Sequence, residues 1–116
     1  MQYLLLIYSN EADYAALDKA TAGALSDEYT VYTQEIIKTG HFKGGERLKP
    51  VATASTVQVK NGKTLTTDGP FAETREQLGG FYMVEAKDID EAIALAARIP
   101  GARHGSIEVR PIWPLA

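Results

Sequence analysis

The chain has 116 residues, of which 45% are hydrophobic and 23% charged, so it is long enough for one hydrophobic core and too short for two. A single domain over residues 1–116 is therefore expected. The formal net charge is −3 and there is no basic run, so no row of cations is available for a phosphate backbone and nucleic acid is not an expected partner. The absence of cysteine excludes disulfides, thiolate metal sites and a cysteine nucleophile.

The first predicted element is a central strand at Tyr3–Tyr8. All six residues of this run are apolar, and successive side chains of a strand point to opposite sides, so both of its faces should be covered. The run is too short to span a bilayer and no basic segment precedes it. We expect no membrane segment and a cytoplasmic protein.

Helical signals follow the first strand. Residues 10–24 are rich in alanine and allow a short helix, which Gly23 interrupts. Ser26 is then a good N-cap residue for an amphipathic helix, and Gly40 supplies a left-handed C-cap. The sequence thus predicts the first long helix from Ser26 to about Gly40.

The middle of the chain has strand and turn signals. The stretch "HFKGGERL" predicts a short strand with a bulge or a close backbone approach at Gly44–Gly45. "STVQVKNGKTLTT" alternates around Asn61–Gly62, a pair that suits a two-residue type I′ hairpin. Phe81–Val84 is apolar on both faces and predicts a second central strand.

The last third predicts a helix and a strand. Asp88 and Glu91 have the spacing of a capping box, and the helix that they begin should end at Pro100–Gly101. "GSIEVRPIW" then alternates in the way that a half-buried strand does.

The order of these elements is strand, helix, strand, hairpin, strand, helix, strand. It predicts an α+β fold with a ferredoxin-like sheet, two helices on one face and an inserted β-hairpin. The other face of the central strands is also apolar, so roughly 5–10 kcal/mol of burial would be lost if it met water. A homodimer with facing sheets would cover it and enclose a cavity. Alternatively, the hairpin or residues 10–24 fold over that face.

The segment "TTDGPFAETREQLGG" calls for a separate explanation. Asp68 suits the first position of a turn, but the residue two positions on, Pro70, has no N–H for the carboxylate to accept from. The carboxylate must then find a later amide, a cation or a ligand. Gly69 is expected to be extended before the proline, and Phe71 to anchor the turn in the core.

Other side chains are candidates for the same site. His41, just past the predicted helix C-cap, is either a simple cap or an acid/base partner of Asp68. Arg75 is either part of a solvated charged tract or a clamp for a carboxylate or phosphate. Tyr82 is either packed or a donor to a ligand. His104 is expected to be exposed.

Metal and cofactor signals are weak. A site formed by both histidines with Glu46 or Asp68 is conceivable, but the spacing has no ligand signature, and Glu46 is retained as a ligand-binding candidate. There is no glycine-rich phosphate loop, no nucleophile elbow and no Ser/His/Asp order. We expect neither a metal nor a cofactor.

Two long stretches carry a resemblance. "TDGPFAETREQLGGFYMVEAKDIDEA" and "RIPGARHGSIEVRPI", with "MQYLLLIY" and "GGERL…VATASTVQV" upstream, are similar to the DGPF group of the YCII-related family of small bacterial proteins. The resemblance covers almost the whole chain. It implies a ferredoxin-like fold, dimers of the dimeric α+β barrel type and a cytoplasmic bacterial protein.

The resemblance also bears on function. A histidine–aspartate pair is a suggested active site in YCII-type members, and Asp68 matches the aspartate. The histidine would fall in the first long helix, where this chain has Tyr29 and Tyr32 instead, so His41 would have to replace it. Some DGPF-type proteins resemble partners of extracytoplasmic-function sigma factors, which implies a regulatory role.

Three hypotheses follow. The chain binds, or converts by acid/base chemistry, a small molecule in a cavity near Asp68; or it is a non-enzymatic regulatory module; or the DGPF turn serves structure alone.

Overall fold

The computed structural model describes residues 1–115, in which there are six strands and three helices. The strands are β1 (Gln2–Ser9), β2 (Phe42–Arg47), β3 (Ser55–Lys60), β4 (Lys63–Asp68), β5 (Gln77–Glu85) and β6 (Ser106–Pro111). The helices are α1 (Glu11–Ala15), α2 (Lys19–Lys38) and α3 (Ile89–Ala97), and short 3-10 turns lie at Val51–Thr53 and Pro100–Arg103.

Four strands form one sheet in the order β2-β5-β1-β6, and every neighbouring pair is antiparallel. β3 and β4, which lie between β2 and β5 in the chain, form a separate two-stranded sheet. α2 connects β1 to β2, and α3 connects β5 to β6, which is the connectivity of a ferredoxin-like fold. The predicted α+β class and the inserted hairpin are therefore confirmed.

The core lies between one face of the sheet and the helices. Alternate side chains of β1 and β5 meet buried side chains of α2, of α3 and of Ile99, which follows α3. The side chains that are almost fully buried in this layer are Leu5, Ile36, Val84 and Ile99. Because each fully buried aliphatic side chain contributes about 1.5–3 kcal/mol, this layer holds the fold together. Both long helices cover the same face, as predicted.

The start of α2 differs from the prediction. The helix begins at Lys19, with Asp18 as the N-cap, instead of after Ser26. The Asp18 carboxylate accepts from the Thr21 amide at 2.7 Å, so a better-placed cap precedes the predicted one. Gly23 lies inside the helix, where it costs only about 1 kcal/mol relative to alanine.

Local turn and cap signals are confirmed elsewhere. Asn61 and Gly62 have φ angles of 52° and 74°, as a type I′ turn requires, and Gly40 has a φ of 80° after α2. The Asp88 carboxylate accepts from the Glu91 amide at 2.9 Å. In return Glu91 accepts from the Lys87 amide, one residue before the partner that a capping box predicts.

Three tyrosine hydroxyls are enclosed between α2, the sheet and the Pro100–Arg103 turn. Tyr32 donates to the Leu95 carbonyl at 2.8 Å, Tyr29 accepts from the Gly101 amide at 3.1 Å, and Tyr82 shares a 2.6 Å hydrogen bond with Thr33. Burial raises the pKa of each of these phenols, because the phenolate would lose its hydration. The Tyr32 and Tyr82 rings pack edge to face, with centroids 5.3 Å apart.

We predict that the protein loses stability in alkali. The folded state keeps these phenols neutral, so their contribution is complete below the ordinary tyrosine pKa of about 10 and is lost as pH rises above that value. Urea unfolding over this range should show the free energy of unfolding falling with pH. Tyr82→Phe should reduce the slope by up to about 1.4 kcal/mol per pH unit, the contribution of one titrating group. An unchanged slope in this variant would contradict the assignment.

No helix within residues 1–115 is both long enough and apolar enough to cross a membrane.

Candidate functional site

Asp68 lies at the last position of β4, opposite Ser55 of β3. Its carboxylate is exposed and has no hydrogen-bond partner among residues 1–115. The next residue, Gly69, donates its amide to the Ala54 carbonyl at 2.7 Å, and its carbonyl accepts from the Thr56 hydroxyl at 2.9 Å. The turn is thus held by the backbone, and the aspartate side chain remains available for a ligand or a partner.

Two expectations for this turn are wrong. Gly69 has a φ of 106° instead of an extended conformation, a region that only glycine adopts without strain. Phe71 does not anchor the turn in the core, because its side chain is 83% exposed. The sequence could not distinguish an aromatic anchor from an aromatic surface residue, since both follow a turn equally well.

Polar contacts hold the segment after Phe71 against the start of α1. The Asn10 side chain donates to the Arg75 carbonyl at 3.0 Å, and the Gln77 side chain accepts from the Glu11 amide at 2.9 Å. Glu11 in turn accepts from the Val51 amide at 3.0 Å. These bonds bring three distant segments together at one end of the sheet, so the turn that follows the hairpin has a defined position.

The glycine pair before Phe81 allows strands to approach closely at the same end of the sheet. A β-carbon on Gly80 would lie 2.7 Å from the Glu46 carbonyl oxygen on β2. The Leu48 amide donates to the Gly79 carbonyl at 2.9 Å, and the pairing of β1 with β5 shifts register beside Gly79. The glycines in "REQLGG" therefore have a structural explanation.

His41 does not meet Asp68 within the chain. Its Nδ1 lies 2.7 Å from the Thr39 hydroxyl and its Nε2 lies 3.4 Å from Glu91, so it connects the end of α2 to the start of α3. It precedes β2, whereas Asp68 belongs to the hairpin that follows β2. The two residues therefore lie beyond opposite ends of β2, which is roughly 20 Å long. The structure does not assemble the predicted acid/base pair in one protomer.

The remaining predicted residues lie in different places. Tyr82 is buried on the face that the helices cover, where it contacts Tyr32 and Phe42. Glu46 pairs with Phe81 on the opposite face and is exposed. The Arg75 side chain is exposed, and its backbone is the part that makes a structural contact. Of the five candidates, only Glu46 lies on the sheet face that the helices leave open.

That open face is apolar in its centre. Strand register places six partly exposed side chains of the two central strands on it: Leu4, Leu6, Tyr8, Leu78, Phe81 and Met83. Glu46 lies on one margin, and on the other the Glu108 carboxylate pairs with Arg110. The hairpin strands are exposed apart from Thr56, and α1 has no buried residue, so the alternative in which the hairpin or residues 10–24 cover this face is wrong.

The total surface of the protomer is large for its mass. Its accessible area is 8270 Å², whereas a monomer of 12.6 kDa is expected to expose about 6,200 Å². Its radius of gyration of 16.2 Å likewise exceeds the roughly 13 Å expected for this length. The molecule measures 48 × 47 × 19 Å, so its shape is flat.

The structure also has a cavity that the sequence did not indicate. It has a volume of about 340 Å³ and lies between α1, the first half of α2 and the turn after Arg103; its polar lining includes Asn10, Asp13, Tyr14, Glu28, Arg103 and His104. Arg103 forms an ion pair with Glu28 at its margin, and His104 is exposed as predicted. Residues so far apart in the chain carry no shared local signal, so only the folded chain reveals this cavity.

An arginine without a recognisable sequence signal holds α1 in place. Arg47 donates to the Tyr14 hydroxyl at 3.2 Å, and its guanidinium carbon lies 5.5 Å from the centre of the Tyr14 ring. Among residues 1–115 there is no group of three or more His, Asp or Glu side chains that could hold a metal ion.

These features define a class: a small ferredoxin-like α+β protein with one open sheet face and a projecting hairpin that ends at an unpaired aspartate. The YCII-related domain matches residues 1–116, and the chain belongs to that family. It is also similar to a protein of Rhizobium meliloti (strain 1021) described as uncharacterised, with 34% identity over 114 residues, which are 97% of this chain and 92% of the relative. The predicted family is confirmed, and the relative's description assigns no activity.

Proposed function

We propose that the protein is a cytoplasmic homodimer that binds a small molecule in a chamber between two open sheet faces, with Asp68 at the margin of that chamber. The observation that carries the proposal is the excess surface of about 2,000 Å² per protomer together with the apolar centre of the open face. An area of this size is what permanent dimers bury.

The chemistry of the chamber favours an amphipathic ligand. Leu6, Phe81 and Met83 offer an apolar floor, whereas Glu46 and Asp68 are exposed carboxylates that accept hydrogen bonds. Asp68 then acts as a ligand acceptor, or as a general base if the bound molecule is converted. A ligand with hydrogen-bond donors beside an apolar body fits this arrangement.

A thermal-shift screen tests the proposal. The panel should contain amines, alcohols and amides with apolar groups, because these present donors to a carboxylate. A compound at a hundred times its Kd should raise the free energy of unfolding by about 2.7 kcal/mol. Asp68→Asn should abolish that stabilisation, because the neutral amide accepts more weakly and also presents donors.

Asp90→Asn, at an exposed aspartate in the first turn of α3, is the matched control and should keep the ligand response. If Asp68→Asn binds every compound as the wild type does but unfolds at a lower temperature, the DGPF turn serves structure alone.

A second candidate function is a regulatory module that associates with a sigma factor of the extracytoplasmic-function type. The exposed Phe71 favours it, because an aromatic side chain that is 83% exposed is typical of a protein contact. Coexpression with such a sigma factor should then yield a complex that Phe71→Ser weakens. A complex that forms equally well with this variant would exclude the aromatic contact.

A further inference from the structure

The β3–β4 hairpin stands clear of its own domain. All six residues of β4 are exposed, and so are all residues of β3 except Thr56. Apart from the turn contacts at Ala54 and Gly69, the hairpin strands make few contacts with other elements in the described part of the chain. An isolated two-stranded hairpin is only marginally stable in water, so this one needs a surface to pack against.

The two faces of the hairpin differ in composition. Strand register puts Val57 opposite Thr66, Val59 opposite Thr64 and Ser55 opposite Asp68 on one face. We call this the valine face; Asp68, at its base, is its one charged residue. The other face has Lys60 opposite Lys63 and Gln58 opposite Leu65.

The valine face has the composition of a buried strand surface. Val57 and Val59 are 58% and 67% exposed, and β-branched residues favour half-buried sheet surfaces. The two lysines on the opposite face suit contact with water and discourage strand pairing there. We therefore expect the valine face to pack against another apolar surface while the lysine face remains in solvent.

The excess exposed surface favours a second copy of this chain as the partner that the valine face contacts. The excess surface of about 2,000 Å² per protomer matches a large two-fold interface, and the hairpin adds to that excess because it is exposed on both sides. In a two-fold dimer each hairpin contacts the other protomer in the same way, so two arms and two open faces are covered together.

We infer that the hairpin is an arm that packs its valine face on the second protomer and thereby delivers Asp68 to that protomer's open sheet face. Each chamber takes its aspartate from the other copy, and the site is incomplete in a single chain. This also accounts for the separation of Asp68 from His41 and for an aspartate that has no partner among residues 1–115 of its own protomer. The inference rests on the homodimer in the proposed function and deepens it.

Charge substitutions on the two faces of the hairpin test whether its valine face packs on the second protomer. Val59→Asp places a charge on the valine face, and Gln58→Asp places the same charge on the opposite, lysine-bearing face. Sedimentation equilibrium should give a dimer Kd raised about tenfold or more for Val59→Asp and changed by less than about twofold for Gln58→Asp. Both positions are exposed in the protomer, so circular dichroism should show an unchanged fold.

Cross-linking gives a second, independent measurement. Because the natural chain has no cysteine, Val59→Cys can carry a photoactivatable label at one defined position. In a mixture of unlabelled and ¹⁵N-labelled protein, cross-links should join peptides of different isotopic mass, with attachment sites on β1 or β5 of the second copy. Gln58→Cys should give far fewer such products.

The outcomes separate the arm from the dimer. If the wild type is a dimer but Val59→Asp associates as tightly as Gln58→Asp, or the cross-links stay within one chain, the arm is refuted while the chamber between open faces stands. If the wild type is a monomer at micromolar concentration, the arm and the chamber both fail.

Discussion

Replacing Leu6 with aspartate should convert the proposed dimer to monomers at micromolar concentration. Leu6 lies in the centre of the open face, between Phe81 of β5 and Glu108 of β6. Each buried leucine contributes about 1.5–3 kcal/mol, and a two-fold interface contains two copies. Leu6 is already partly buried in the protomer, so the interface accounts for only part of this amount in each copy; a total loss of about 1.4 kcal/mol or more should raise Kd at least about tenfold. The burial of two carboxylates increases this loss.

Ile37→Asp is the matched control, because Ile37 lies on α2 and is 53% exposed. It changes an exposed isoleucine outside the open face and should leave the dimer intact. Light scattering after size-exclusion chromatography measures both masses. A Leu6→Asp protein that keeps the wild-type dimer mass would contradict the open face as an interface and would remove the chamber from the proposed function.

Replacing Gly80 with alanine should destabilise the protomer, because the added methyl group has no space. Its β-carbon would lie 2.7 Å from the Glu46 carbonyl oxygen and 3.4 Å from the Arg47 α-carbon, and both are backbone atoms that cannot rotate away. Overpacking of this kind costs about 1–3 kcal/mol. The disturbance falls where β2 meets β5, so the hairpin and the DGPF turn should also lose their position.

Gly23→Ala provides the comparison for the same chemical change. Gly23 lies inside α2, and a β-carbon there meets nothing within 4 Å. Alanine should stabilise the helix by about 0.5–1 kcal/mol relative to glycine. Urea unfolding of the two variants should thus shift the midpoint in opposite directions. Equal shifts would show that close approach of the strands does not explain the glycine pair.

Interactions close in sequence could be predicted. Asn61–Gly62 adopts the turn that its tolerance of positive φ favours, and Asp88 caps the helix that it precedes. Each signal depends on atoms a few residues apart, so the chain need not fold before the preference exists. The predicted start of α2 is wrong because two good N-cap residues, Asp18 and Ser26, compete. The sequence does not show that the helix tolerates Gly23.

The candidate site was less predictable than the fold. The sequence indicates the unusual turn at Asp68 because Pro70, two residues later, lacks a hydrogen-bond donor, and this signal depends only on neighbouring residues. The predicted pairing of that aspartate with His41 is not formed within one protomer, because the pairing depends on which ends of β2 and the hairpin meet. The prediction that Phe71 lies in the core is wrong for the same reason, because hydrophobicity does not state which surface a side chain faces.

The sequence alone determined the order of the elements, their periodicity and the two-sided apolar character of the central strands, because these properties reside in neighbouring residues. The tertiary structure decided which side of those strands the helices cover. It put Tyr82 and Leu5 inside and left Leu6 and Phe81 open. Strand alternation makes both faces equally apolar, so only the packing of α2 and α3 on one of them distinguishes the core from the face that the helices leave open.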